Sequence, residues 1–212
     1  MRRFAAALLD FGDTLFHSPS AVDLLVAGGL ERSFAERLWE EVWLSSKTAE
    51  ELATGRDLSA ERHRADWLRL LAPLDAHVAG GAARLYEEVI HADGWVPYPD
   101  AAGVLGALRE RGVRVGVVSN IPSPLEPVFR RHGLAPFVHV YVESYRHGRV
   151  KPDPELFRIA CRELCVAPEA ALMVGDSHLA DGAAVLAGMT ALVLPAVPPG
   201  TPRGLSLVLD LC

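Results

Sequence analysis

The sequence predicts an α/β fold, an open parallel five-stranded Rossmann-like sheet flanked by helices, with an all-helical subdomain inserted after the first strand. Three observations carry that expectation. Five short apolar runs, Phe4–Leu9, Val113–Val118, Val138–Val142, Ala171–Val174 and Ala191–Leu194, lack clean alternation, as strands covered on both faces do. Helical patterns separate the later runs with short links, which is the pattern of a parallel sheet. The stretch from Phe16 to His91 shows no strand pattern but carries three helical ones.

Each element has a local reason. Asp100–Arg111 places Ala101, Val104, Leu105 and Leu108 on one helical face and stops at Gly112. Leu125–His132 is closed by Gly133. Pro154–Cys165 opens with Asp153 as N-cap and Pro154 at the first helical position. Asp181–Ala187 is stopped by Gly188. Within the insert, helices are expected over Ser33–Leu44, Ser59–Leu71 and Ala82–His91, their aromatic stripes (Phe34, Trp39, Trp43, Trp67) forming that subdomain's own core. The tail from Pro195 to Gly204, with Pro198, Pro199 and Pro202, reads as an irregular loop. The expected division is residues 1–16 with 95–212 as an α/β core, and 17–94 as the helical insert.

Composition bounds the function. The chain has 212 residues, 21 Lys+Arg against 27 Asp+Glu, a net charge of −6, and is half hydrophobic. That is globular rather than disordered. A chain this long buries roughly 70% of its unfolded surface and needs no disulfide or structural metal to hold a core. The acidic balance argues against nucleic acid as a partner. No run approaches the ~18–20 apolar residues that span a bilayer. Phe4–Leu9 follows Arg2 and Arg3 but is interrupted by Asp10, too early for a signal peptide. Cys161, Cys165 and Cys212 form no framework and read as reduced thiols, with Cys161 and Cys165 as packing residues. A cytoplasmic monomer or homodimer without a membrane partner is expected. Of the basic residues only Lys47 and Lys151 are lysines.

In open parallel sheets, ligands bind beyond the carboxyl ends of the strands. There this sequence places Asp10-Phe11-Gly12-Asp13-Thr14, then Ser119-Asn120, then Lys151-Pro152-Asp153-Pro154, then Gly175-Asp176-Ser177 with Asp181. Carboxylates from different strands can hold one Mg²⁺, a third can orient its surroundings, and a hydroxyl and an ammonium suit phosphate oxygens. A strand-end carboxylate can attack phosphorus.

This arrangement resembles the haloacid dehalogenase-like hydrolase superfamily, with Leu9-Asp10-Phe11-Gly12-Asp13-Thr14, Val118-Ser119-Asn120, Val150-Lys151-Pro152-Asp153-Pro154 and Gly175-Asp176-Ser177 to Asp181 as its four motifs in order. The insert's position matches the family's C1-type helical cap. The resemblance implies a Mg²⁺-dependent phosphatase of a small phosphorylated substrate, with Asp10 as nucleophile. It implies Asp10, the Gly12 carbonyl, Asp176 and Asp181 around the metal, Ser119, Asn120 and Lys151 toward the phosphoryl group, and Thr14 stabilising the first loop and bordering the substrate.

One departure stands out. The family's phosphatases usually carry an acid–base Asp where this chain has Gly12, and Asp13 lies one place later. Asp13 is then a displaced acid, or the proton comes from elsewhere. Gly12 also admits unusual torsions that would re-route the loop. Two alternatives follow: C–P or C–halogen cleavage, the former needing Lys47 for a Schiff base, or a catalytically weakened protein that binds phosphate ligands.

Overall fold

The computed structural model describes residues 4–212, apart from the side chains of Ala49 and Leu52. Arg2 and Arg3, the basic flank of the first apolar run, lie outside the described residues. The chain divides into two compact units, Met1–His17 with Val96–Cys212, and Ser18–Trp95.

The chain enters through β1 (Ala6–Leu9), whose four residues are all buried. After the loop that follows it, β2 (Phe16–His17) pairs antiparallel with β3 (Val96–Pro97), a two-residue ladder that the apolar pattern did not announce. Between these two strands lies the helical unit: α1 (Ala21–Ala27), α2 (Arg32–Ser45), α3 (Ala49–Ala53), α4 (Ala60–Leu71) and α5 (Gly81–Leu85). After β3 the chain alternates through α6 (Ala101–Glu110), β4 (Arg114–Ser119), α7 (Glu126–Arg131), β5 (Val140–Glu143), the single turn α8 (Ser144–His147), α9 (Pro154–Glu163), β6 (Ala171–Gly175), β7 (Thr190–Val193) and α10 (Ser206–Leu211).

The main sheet is parallel throughout, in the order β5-β4-β1-β6-β7. Its three central strands are buried on both faces, which is why their sequences do not alternate. Leu8, Val118, Leu156, Phe157 and Met173 belong to one continuous core. The terminators act as read from sequence. Gly112, Gly133 and Gly188 take positive φ after α6, α7 and the helical turn before β7. Asp153 accepts the Glu155 N–H at the start of α9.

Three local expectations are corrected. Residues Gly182–Ala187 form a 3₁₀ helix rather than an α-helix, closed by an Ala184 N–H to Asp181 carbonyl bond. Ala82–His91 does not continue as one α-helix: Tyr86–Ile90 widens to a π-helical turn, with the His91 N–H on the Tyr86 carbonyl. Cys165 is not a packing residue, because the chain leaves α9 there in a left-handed turn (φ 51°) that points the thiol side chain out, whereas Cys161 is buried. Among the described residues, no helix is long and apolar enough to cross a membrane.

The helical unit has its own core, in which Leu25, Leu71, Leu74 and Leu85 are sealed and Trp67 is nearly so. Lys47 sets its ammonium 4.1 Å from the Trp43 ring centroid. His63 is buried with Nδ1 3.0 Å from the Tyr86 hydroxyl. Burial, reinforced by Arg56 and His91, pushes its imidazole down to about 3, so the folded protein holds it neutral. The unfolded imidazole takes up a proton near pH 6.5, and the folded one excludes it until about pH 3. Stability from this group is therefore full above pH 6.5 and falls with pH below it, by up to about 1.4 kcal/mol per unit. In thermal melts from pH 7 to pH 4, His63→Gln should lose stability less steeply than the unsubstituted chain.

Candidate active site

Parallel register brings the strand ends to one edge. Leu9 is level with Val117 on one side and Val174 on the other, so Asp10, Ser119 and Asp176 leave the sheet together. The Asp10 N–H donates to the Val174 carbonyl, which holds that residue to the neighbouring strand just as its side chain leaves the ladder.

Lys151 lies at the centre. Its buried ammonium donates to Asp10 Oδ1 at 2.7 Å and to Asp181 Oδ1 at 2.5 Å. Asp181 Oδ2 accepts the Ser177 N–H at 3.0 Å, so that carboxylate ties the lysine to the loop after β6. One oxygen each from Asp10, Asp176 and Asp181 lies within 4.8 Å of the others. Burial pushes the Asp10 carboxyl up to about 7, against the pull of Lys151 and with help from Asp181 and Asp176. The Asp176 carboxyl is also raised, by its partial burial and by Asp181 and Asp13, although the residue as a whole stands at the exposed rim. Burial alone would lower the Lys151 ammonium. Asp10 and Asp181 outweigh that and hold it above its ordinary value.

Three clustered carboxylates with one ammonium leave excess negative charge. An all-oxygen, partly buried acidic donor set of this kind fits a hard divalent cation such as Mg²⁺.

The Asn120 amide is engaged with main chain: Nδ2 donates to the Lys151 carbonyl at 3.0 Å and Oδ1 accepts the Lys151 N–H at 2.7 Å. It clamps the main chain that carries the central ammonium. Thr14 is fully buried, and its hydroxyl has no hydrogen-bond partner among the described residues, so in this conformation it neither braces the loop by a hydrogen bond nor reaches a substrate. Gly12, which admits unusual torsions, does not take a positive φ; the left-handed residue of the loop is Asp13, at φ 51°. The carboxylate of Asp13 lies close enough to act electrostatically on Asp176 and on Tyr98. Ser119 is nearly buried at the end of β4, level with Glu143. Sequence reasoning missed Arg203, Asp100 and Tyr98, which buttress the loop after β1. A lone arginine in a proline-rich tail carries no local signal of that contact.

Gly175 shows how tightly the site is packed. A Cβ there would lie 2.1 Å from Asp181 Cγ, and that carboxylate cannot swing away without releasing Lys151 and Ser177. Gly175→Ala should therefore cost about 1–3 kcal/mol in denaturant melts. Gly103→Ala, on the exposed face of α6 with nothing within 4 Å, should gain about 0.5–1 kcal/mol.

The sequence pattern of haloacid dehalogenase-like hydrolases matches residues 4–187. The chain belongs to that family. A glyceraldehyde 3-phosphate phosphatase of Methanopyrus kandleri is 31% identical to this hydrolase over 181 residues, covering 81% of this chain and 75% of the relative. The haloacid dehalogenase-like hydrolase domain-containing protein 3 of Mus musculus is 37% identical over 100 residues, 47% of this chain and 40% of that protein. The chain spans about two fifths of the length of the first curated relatives it matches. Among solved structures, an L-2-haloacid dehalogenase superposes with a TM-score of 0.74 at 19% identity, covering 98% of this hydrolase and 97% of the other chain. At that identity the likeness concerns the fold.

Proposed function

We propose that this hydrolase is a Mg²⁺-dependent phosphatase of a small phosphorylated metabolite. The observation that carries the reading is the meeting of Asp10, Asp176 and Asp181 around the buried Lys151 ammonium. Asp10, Asp176 and the Gly12 carbonyl would hold the cation, with Asp181 supporting them. When bound, it would neutralise charge on the transferring phosphoryl group.

The rest of the chemistry falls to the chain. Lys151 occupies Asp10 Oδ1 and leaves Oδ2 to attack phosphorus. An O–P bond forms to Asp10 as the ester P–O bond breaks, and the leaving oxygen takes a proton from Asp13. Water then attacks the aspartyl-phosphate, gives its proton back to Asp13, and releases phosphate with Asp10 restored. Ser119 donates to a phosphoryl oxygen and Lys151 places its charge beside it. The protein would act in the cytoplasm as a monomer or homodimer, with no nucleic-acid or membrane partner.

The test is phosphate release with and without Mg²⁺ across a panel of small phosphate esters. Glyceraldehyde 3-phosphate and phosphoglycolate belong in it, since relatives are named for them. Turnover that EDTA abolishes is the expected result. On the same panel, Asp13→Ala should lose about 10²–10⁴ of rate. Undiminished turnover would remove Asp13 from the proton transfer.

The vacancy of acid function at Gly12 favours one second reading, a binding protein that holds phosphate ligands without turning them over. Tight phosphate-ester binding with no release of phosphate would select it. C–P cleavage would call on Lys47 for a Schiff base, and its ammonium lies 4.1 Å from the Trp43 ring centroid within the helical unit. Halide release from 2-haloacids without Mg²⁺ would instead overturn the phosphatase reading.

A further inference from the structure

We infer that Arg203, in the C-terminal tail, is a positioning residue that holds the loop after β1 in its working shape and so sets where Asp13 stands. Its kinetic consequence rests on the phosphatase reading above; its structural consequence rests on geometry alone.

Arg203 is 2% exposed, an uncommon state for an arginine. Its guanidinium serves three main-chain carbonyls. Nε donates to Asp13 at 2.6 Å, Nη2 donates to Leu194 at 3.1 Å, and Nη1 donates to Pro195. The planar fork is what lets one side chain reach three acceptors in different directions. The tail itself is pinned. The N–H groups of Arg203, Gly204 and Leu205 all donate to the Asp100 carboxylate at 2.8–2.9 Å. The Tyr98 ring lies 5.8 Å from the guanidinium carbon. Asp100 thus fixes the tail, and the tail aims Arg203 at the loop.

What the contact secures is a torsion the loop does not hold cheaply by itself. Asp13 has φ 51°, a left-handed backbone that aspartate enters more readily than most non-glycine residues but that still needs support from its surroundings. Within the loop, the Leu15 and Phe16 N–H groups both fold back onto the Phe11 carbonyl, while the Asp13 carbonyl accepts from outside the loop, from Arg203 Nε. Rotating the Asp13 peptide would break the bond and carry the Asp13 carboxylate elsewhere.

The experiment uses the full chain with Arg203→Ala and Arg203→Lys. In Arg203→Ala, amide hydrogen exchange across residues 11–16 should quicken about tenfold or more while β4 and β5 keep their protection. With the best ester of the panel, kcat should fall about 10- to 100-fold while KM stays within about twofold. Arg203→Lys should recover part of that loss. Guanidinium at low millimolar concentration should restore Arg203→Ala and leave the unsubstituted enzyme unchanged. Loop exchange that stays the same, or that rises equally in every strand, would overturn the positioning role. An unsubstituted chain with no turnover would instead remove the phosphatase reading, and loop exchange alone would then decide Arg203.

Discussion

Asp10→Asn should reduce phosphate release by at least about 10⁴-fold while leaving the fold intact. Lys151 already occupies Asp10 Oδ1, so in the proposed reaction the attacking atom is Oδ2, and an amide in its place offers no nucleophile in one orientation and no anion in either. The substitution is close to isosteric, and the amide oxygen can still accept from Lys151. The register that holds Asp10 is main-chain, through its N–H on the Val174 carbonyl, and does not change. Added Mg²⁺ gives a second readout. Saturating the cation at about 100 times its dissociation constant stabilises a protein that binds it only when folded by about 2.7 kcal/mol. Asp10→Asn removes one of the three clustered carboxylates, so its melting temperature should rise less with Mg²⁺ than that of the unsubstituted chain. Full activity in this variant would end the case for Asp10 as nucleophile.

How far the molecule was legible from sequence follows a physical divide. The five sheet strands were found because they are buried on both faces and so read as unbroken apolar runs. β5 was placed two residues early at its start and one at its end, since it finishes at Glu143, a charge that apolar patterning cannot assign to a strand. Glu143 is buried because the Leu125 N–H and Arg146 meet its two oxygens from outside the strand. α1 was missed although Ser20 caps it through the Asp23 N–H and Ala21, Leu24 and Leu25 share a face. Seven residues give too short a period to stand out from the insert. At the site, Asp10, Lys151, Asp176 and Asp181 were legible because strand ends of a parallel sheet must converge. The placements of the Asn120 amide and the Thr14 hydroxyl were not legible, for the opposite reason. Nothing local tells whether an amide faces a ligand or the main chain of a loop 31 residues away, or whether a threonine hydroxyl is sealed. The contact between Arg203 and Asp13 spans 190 residues and is invisible to any window.

Lys151→Met should destabilise the cation-free protein by about 3–5 kcal/mol, because it removes one partner of a buried ionic group and leaves the others uncompensated. In a chain of this size that lowers the melting temperature by about 6–20 °C. Methionine fills similar volume, so the loss is electrostatic rather than a cavity. Asp10 and Asp181 each give up a hydrogen bond of 2.7 Å or less to the ammonium, and Asp181 keeps only the Ser177 N–H. The sign of the pH response follows. With the ammonium gone, the Asp10 carboxyl loses the charge that opposes its burial and is driven further toward its neutral form. The folded state then holds protons that the unfolded chain has lost, and the deficit grows as pH rises and shrinks as it falls. Melts of the two proteins should converge toward pH 5 and separate toward pH 8. Added Mg²⁺ should raise the melting temperature of Lys151→Met more than that of the unsubstituted protein, since a divalent cation would offset the same surplus charge. Phosphate release should not return with it, because the proposed reaction takes the positive charge beside the phosphoryl oxygens from the lysine. Lys151→Arg should fail as well, since the guanidinium fork is too broad for a pocket in which one nitrogen lies between two carboxylates at 2.5 and 2.7 Å. A Lys151→Met protein as stable as the original, with the same pH dependence, would show that the ammonium is not what holds the carboxylates together.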